Sequence, residues 1–397
     1  MSWTTATIDG RVEALAVPMR RITTGPGHHF FGYYEKTPWD ATGRYVLAMG
    51  APFADRQPTP GETATIGMID LAADDRFTPL DDTEEWSWQQ GAMLQWLGSA
   101  ADRLAIYNRT ADGRMAAIVR DVHTGDTRTL PRPIYAVTRD GRHAMSLNFH
   151  RLHVLRPGYG YVSATPHEIS HPAPDDDGVF HIDVDTGASR LIVSLAQLAA
   201  NQPRDVFADA PHWVNHLQVS PDGERVAFLH RWRGPASFQT RLYVCRRDGS
   251  ELRLLSDTTH FSHYDWRDGR TILGWATGDQ GRRAFYLYDI ERGRTETVGE
   301  GVLTVDGHCS YSPDRRWVLN DTYPDERAMR TLMLYRPADN RRVDLARFYA
   351  PPQLTGPIRC DLHPRWSRDG RAVCIDSAHE DTRHMYVLDV SSITADG

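Results

Sequence analysis

Four histidines recur at one place in the chain's clearest repeats. His216 stands six residues before Asp222 in HLQVSPD, His308 six before Asp314 in HCSYSPD, and His363 six before Asp369 in HPRWSRD; His263 stands five before Asp268 in HYDWRD. Neutral imidazole is the commonest side-chain metal ligand and the usual general base near neutral pH. Several imidazoles converging on one point would hold a divalent ion such as Mn or Zn, with an oxygen donor completing the set, or line a cleft for an anionic substrate. A lone histidine before a turn more commonly bonds to a neighbouring strand, and repeats of shared ancestry can copy a residue without a function. Repetition at one register is what favours a functional cluster.

Other residues carry chemistry singly. The segment GHHFFGYYEKTPWD gathers His28, His29, Tyr33, Tyr34 and Lys36, either as a substrate-binding set or as an aromatic packing cluster. Tyr135 and Arg151, sixteen residues apart, are expected on adjacent strands of one unit, where the arginine neutralises a carboxylate and the tyrosine moves a proton. A core tyrosine and a surface arginine is the plainer alternative. In RPGYGY at 156–161 the glycines bend a loop and offer Tyr159 as a face for a sugar; WSWQQG at 86–91 is either packing or a sugar platform. Asp321 and Asp325 are the candidates for a glycosidase-type carboxylate pair. There is no GxSxG elbow, P-loop, GxGxxG or HExxH, which speaks against a serine hydrolase, an NTPase, a dinucleotide enzyme or a zincin.

These residues need elements to carry them. From Asp222 the chain reads SPDGERVAFLHRW and then RLYVCRRDGSELRLLS, and related units follow from Asp268, Asp314 and Asp369, with weaker copies at Asp40, Asp102 and Asp140. Each reads as strand, Asp-Gly turn, apolar strand, loop, strand, turn and strand. Glycine accepts positive φ there and aspartate bonds the turn backbone. The turn aspartates advance by 62, 38, 82, 46, 46 and 55 residues, and a four-stranded unit recurring every 40–50 residues or so is a propeller blade. The expectation is an all-β, seven-bladed β-propeller with four antiparallel strands per blade, one domain over 1–397. An insertion around 186–212, with a helix read at 191–202, separates two blades. The last unit lacks a fourth strand, and RVEALAVPMRRI at 11–22 is expected to supply it, closing the ring and removing the exposed edge. Innermost strands line the channel of a propeller, so equivalent positions form a ring at one height. That is how four blades would bring their histidines together.

The composition narrows the partners. With 45 Lys+Arg against 52 Asp+Glu the chain carries a net −7, which speaks against a general nucleic-acid or anionic-membrane binder. No apolar stretch approaches the roughly 18–20 residues that span a bilayer. The opening MSWTTATIDGRVEALAVPMRR lacks the basic-then-apolar order of a leader, and four scattered cysteines form no CxxC pair. The expected location is therefore the cytoplasm.

The ending HPRWSRDGRAVCIDSAHEDTRHMYVLDV resembles that of the oligogalacturonate lyases, as do HCSYSPD around His308, HYDWRD around His263 and the first-blade segment GHHFFGYYEKTPWDATGRYVLAMG. The resemblance implies a cytoplasmic seven-bladed propeller that cleaves uronate linkages. It implies a manganese ion held by histidines against the substrate carboxylate, with a separate histidine as base. By position, His308 and His363 match metal ligands and His263 matches the base. The second histidine of the family's HPH pair is matched by Asp361, and Ile358 lies near its upstream glutamine ligand, so that His216 or Asp361 would complete the shell. The Tyr135 and Arg151 spacing is similar to the pair of propeller ulvan lyases, which also cleave uronate linkages. The function expected is a polysaccharide or oligosaccharide lyase acting by β-elimination on an acidic oligosaccharide. The alternative is a non-catalytic, TolB-like or WD-like propeller that binds a protein or glycan.

Overall fold

Each repeat is built around its turn. The Asp222 carboxylate accepts from Ser220 Oγ at 2.5 Å and from the Glu224 amide at 3.1 Å, and Gly223 takes φ +77°, where a Cβ would be strained. Thr138 and Asp140, Ser312 and Asp314, and Ser367 and Asp369 repeat the side-chain bond at 2.5–2.6 Å. In the sixth repeat Arg315 stands in the glycine's place at φ +64°, a conformation that costs a residue with a side chain about 1 kcal/mol.

The structure, a computed structural model, describes residues 10–25, 27–98, 101–162, 168–234, 237–258, 260–278 and 280–395. Residues 1–9, which open the stretch read against a leader, lie outside them. Seven antiparallel sheets follow one another along the chain, over 28–83, 95–130, 136–194, 212–256, 261–298, 310–349 and 365–389, and are numbered here as blades 1 to 7. All seven turn aspartates fall between the first and second strands of their blades, as the repeat predicts. Blade 7 takes its fourth strand from the N-terminal segment: Met19–Arg21 pairs with His384–Asp389, with Met19 opposite Leu388. The same segment also lays Val12–Glu13 along Arg341–Tyr349 as a fifth strand of blade 6. The closure therefore spans two blades.

The surplus chain after Asp140 falls in two places. Residues 147–177 leave blade 3 between its second and third strands and hold the helix Phe149–Leu155. Residues 195–211 connect blades 3 and 4. Within the span read as inserted helix, Ser189–Ser194 is the outer strand of blade 3, because Leu191 and Val193 pair with Phe180 and Val179. The helix begins only at Leu195, where Ser194 and Gln197 form a capping box, and runs to Ala200. No helix among the described residues is long and apolar enough to cross a membrane.

The strands are buried on both faces because blades pack against one another. The sequence RVAFLHRWR at 225–233 is buried at seven consecutive positions, and one cluster joins Leu273, Trp275 and Phe285 of blade 5 to Val318, Met333 and Tyr335 of blade 6. Inner strands lean on these walls, which fixes what projects into the channel.

Candidate active site

The histidines reach the channel through breaks in the inner strands. The ladder of blade 4 shifts register between Asn215 and Gln218, and that of blade 5 between Phe261 and Tyr264. His216 and His263 sit in these bulges, which re-aim a side chain out of the normal alternation. In blades 6 and 7 the inner strand starts at Ser310 and Arg365, so His308 and His363 lie in the loop leading into it. His216 and His363 adopt φ +51° and +40°; such strain in residues with side chains concentrates at functional sites.

The rings converge on Tyr33. Its centroid lies 4.9 Å from those of His216 and His363, 5.8 Å from His308 and 6.4 Å from His263. His308 touches both His263 and His363, at 4.1 and 4.6 Å. Tyr33 was named only as one of an aromatic group, and no local pattern singles it out. In blade 1 the turn position held elsewhere by Ser220 and Ser367 belongs to Asp40, whose amide donates to the Tyr45 carbonyl and whose carbonyl accepts from the Gly43 amide. Tyr33 therefore reaches the imidazoles from off their common register. The Tyr33 hydroxyl is buried without a partner among the described residues, and burial raises its pKa well above the ordinary value.

His308, Asp361 and His363 place one donor atom each within 4.8 Å of one another. Metal bonds of about 2.0–2.2 Å require donor separations of roughly 3–4 Å, so small side-chain movements would suffice. Nε2 of His308 and of His363 are buried and unpartnered. Asp321, buried at the base of the hairpin beyond, accepts from His308 Nδ1 at 2.9 Å and from the His308 amide at 2.8 Å. That fixes the tautomer whose Nε2 keeps its lone pair for a metal, the usual support of a metal-binding histidine. Burial opposes charge on His308, but Asp321 and Asp361 prevail and raise its pKa. Asp361 is held by Arg359 Nε at 2.5 Å; Arg330 Nη2 approaches its other oxygen at 2.8 Å, without the alignment of a hydrogen bond. Burial works against the Asp361 carboxylate, yet the two arginines keep its pKa well below the ordinary value. The donor set fits a divalent ion. His216 does not join this group, and its Nδ1 is buried and unpartnered.

His263 is held differently. Its Nδ1 lies 3.0 Å from Asp306 Oδ1 and 3.1 Å from Ser262 Oγ. The carboxylate orients the ring and leaves Nε2 to act on a substrate. Burial and then the neighbouring His308 lower its pKa, with Asp306 opposing, which keeps the imidazole neutral. Asp306 lies in the loop entering blade 6 and serves a residue of blade 5.

Two further residues escaped the sequence reading. Arg231, on the second strand of blade 4, and Arg156, which caps the helix Phe149–Leu155, have no side-chain hydrogen bond or carboxylate partner among the described residues. Both stack on Phe238, at 4.7 and 4.6 Å, and both act electrostatically on His216. Burial and then Arg156 bring Arg231 down to about 10. An unpaired buried cation such as Arg231 is costly, and with the half-buried Arg156 beside it this marks the flank as a place for an anion. Tyr159 joins them: Arg359 Nη2 donates to its hydroxyl at 2.7 Å, and Arg156 lies 4.8 Å from its ring centre. Burial would raise the phenol, but Arg359 and Arg156 outweigh it and bring the pKa to about 8. At the mouth, Tyr323 is 38% exposed and lies 6.2 and 6.1 Å from His263 and His308.

Several candidates do other work. Arg151 lies on the helix, not on a strand beside Tyr135, and its guanidinium donates to the carbonyls of His212, His171 and Pro172 at 2.5–3.1 Å. The Tyr135 hydroxyl accepts from the His216 amide at 3.1 Å and from Gln90 Nε2 at 2.6 Å, and burial raises its pKa well above the ordinary value. The two do not form a pair: one braces a loop, the other the backbone beneath His216. The Tyr34 hydroxyl is tied to the Tyr264 main chain at 2.7 and 2.9 Å, so this ring is a wedge under the histidines. Lys36 pairs with Glu35 and faces away from them. His29 sits at the seam of blades 7 and 1, stacked on His384 at 6.1 Å.

The remaining motifs are supports. Trp86 and Trp88 pack edge to face at 5.0 Å and bond the Glu62 and Arg56 carbonyls, while Gln89 donates to the Arg359 carbonyl at 2.9 Å, steadying the site's arginine. Tyr161 stacks on Phe149 at 4.4 Å and is buried. Asp325 pairs with Arg347 on the surface, so Asp321 and Asp325 do not form a glycosidase pair.

Two solved structures of oligogalacturonate lyase share this architecture. The enzyme from Vibrio parahaemolyticus superposes with a TM-score of 0.69 at 14% identity, covering 98% of this chain and 97% of that one. A lyase in complex with manganese gives 0.68 at 15% identity, covering 98% and 96%. The propeller domain of the trilobed protease from Pyrococcus furiosus gives 0.52 at 11% identity, covering 91% and 96%. No protein-family model matches the chain, and no curated protein matches it in sequence. The shared feature is the fold: an oligogalacturonate lyase-like seven-bladed propeller.

Proposed function

We propose that the protein is a lyase that cleaves an acidic, uronate-containing oligosaccharide by β-elimination. One observation carries the reading: a carboxylate-oriented histidine, His263, stands beside a three-donor group, and across Tyr33 lies His216, on which the unpaired Arg231 and Arg156 act. The C5 proton of a uronate is weakly acidic because its removal adds a second negative charge next to the carboxylate. Neutralising that carboxylate is the largest requirement. Arg231 and Arg156 supply charge for it from the His216 flank, and a divalent ion held by His308, His363 and Asp361 would supply Lewis acidity on the other side of Tyr33. His263 Nε2 takes the C5 proton, the C–H electrons form the C4–C5 double bond, and the C4–O bond breaks. The departing oxygen takes a proton from Tyr33, whose buried hydroxyl stays protonated at neutral pH. Tyr323 offers its exposed face to the apolar side of a sugar ring at the mouth.

The test is product formation. Manganese-loaded protein is incubated with galacturonate, ulvan-derived and glycosaminoglycan oligomers, with ultraviolet absorbance and mass spectrometry following the unsaturated uronate. At least one substrate class should yield the double bond. Saturable oligosaccharide binding with no double bond from any class would replace the lyase with a non-catalytic glycan-binding propeller.

A further inference from the structure

The channel has a second mouth. At the turn end of the inner strands, beyond Tyr34, a cavity of about 500 Å³ receives side chains from all seven blades, and among the described residues no histidine lines it. The turn residues lie three to five positions after the histidine register, roughly 10–16 Å along an extended strand. Tyr34, Tyr135 and Tyr264 are buried between the two ends, so the cavity is separate from the candidate active site.

Its charge is opposite to that of the whole chain. Arg139, Arg267 and Arg368 occupy one position, the residue before the turn aspartate, and Arg315 follows Asp314. With Lys36 they line the cavity as five cations against two carboxylates, Glu35 and Asp265. Lys36 is spent on Glu35 and Arg267 on Asp268. Arg139 and Arg315 are exposed and make no side-chain hydrogen bond or ion pair among the described residues. Among the described residues Arg368 donates only to the Trp39 carbonyl, at 2.8 Å; burial lowers its pKa, and nearby Arg139 adds to that while Asp40 opposes. The turn aspartates do not neutralise them in the cavity. Asp140, Asp314 and Asp369 accept from their own turns and are not among its lining residues. The walls are firm, because Trp96, Trp266 and Trp366 each bond a neighbouring blade's carbonyl, at 2.8–3.3 Å.

We propose that this mouth binds a compact multivalent anion, carrying two or more carboxylate or phosphate groups, through Arg139, Arg315 and Arg368. Guanidinium forks match both groups bidentately, and a concave, low-dielectric wall focuses their field. The three arginines come from blades 3, 6 and 7, so a ligand must span the axis to meet them all. A single small anion reaches one. The site is independent of the lyase reading.

The full chain is titrated with tripolyphosphate and, separately, citrate, following heat and tryptophan fluorescence at low salt. Saturable one-to-one binding in the millimolar range or tighter is expected with at least one of them. The Arg139→Ala/Arg315→Ala variant, which alters only exposed unpaired groups, should weaken it by about tenfold or more. His308→Ala should leave it unchanged, as should Arg114→Ala/Arg294→Ala, which removes two exposed charges elsewhere. Saturation by tripolyphosphate alone identifies a phosphate ligand, and by citrate alone a carboxylate ligand. No saturation by either, or equal weakening in both double variants, overturns the proposal.

Discussion

Blades 4, 6 and 7 set an imidazole four residues ahead of the turn serine, and blade 5 sets His263 in a bulge near it; blades 2 and 3 place Met93 and Ile134 there instead, and blade 1 sends Tyr33 among the rings from off that register. The strand order is the same in both halves, and all seven side chains are buried. What differs is chemistry. On the histidine side, carboxylates stand behind two rings, Asp306 at His263 and Asp321 at His308, while Asp361 faces His363 Nε2 at 3.8 Å. On the other side Met93 and Ile134 exclude water, which strengthens every charge interaction they face, and Tyr33 stands between the two against all four imidazoles. The ring supplies equivalent positions, and substitution at those positions divides the channel into a reactive flank and a dry one.

Giving a reactive blade the residue of a dry one should break the division. His263→Met, which copies the blade 2 residue, should lower the elimination rate by about 10²- to 10⁴-fold, the usual contribution of a general base, with its melting temperature close to that of the parent. Steady-state rates alongside thermal melts check this. Removing a carboxylate behind a ring is a smaller blow: Asp321→Asn should weaken manganese binding by roughly 10- to 100-fold, measured by titration calorimetry. At the mouth, Tyr323→Ala should raise KM by about 3- to 10-fold, the loss of one aromatic contact, while Tyr323→Phe keeps it.

The smallest effect belongs to the dry half. Burial pushes Glu85 up to about 7; Thr110 donates to one of its oxygens at 2.7 Å, and the other is buried without a partner. The folded protein therefore holds a proton that the unfolded chain releases near pH 4.5, so this stability is full below that pH and is lost as pH rises through about 7. Glu85→Gln should remove that loss, at most about 3 kcal/mol at pH 8. Denaturant melts of both proteins between about pH 5 and pH 8 would show a slope in the parent that is shallower in the variant.

Much of this was legible in the sequence because a propeller repeats its grammar. The turn aspartates located every blade, the missing strand after His384 pointed to the N-terminal segment, and the common offset picked out the four histidines. Contacts between blades were not legible. Asp306 serves a histidine 43 residues earlier, a pairing that no local pattern contains. Arg231 did leave a trace, a cation inside the buried run LHRWR, but which face it took depended on the neighbouring blade. Arg156 depended on a helix in an excursion whose turns carry no repeat, and Arg151, read on a strand beside Tyr135, falls on the same helix. The short helix shifted because Leu191 and Val193 found strand partners before Ser194 could cap.

The central claim is that His263 removes the proton from a uronate. The direct measurement is the absorbance of unsaturated uronate over time, for manganese-loaded parent and His263→Ala on the substrate that gives the parent its largest signal. The account predicts steady accumulation with the parent and a loss of at least about 100-fold with the variant, at equal metal content and equal melting temperature. Accumulation at the parental rate by a folded, metal-loaded His263→Ala would contradict it.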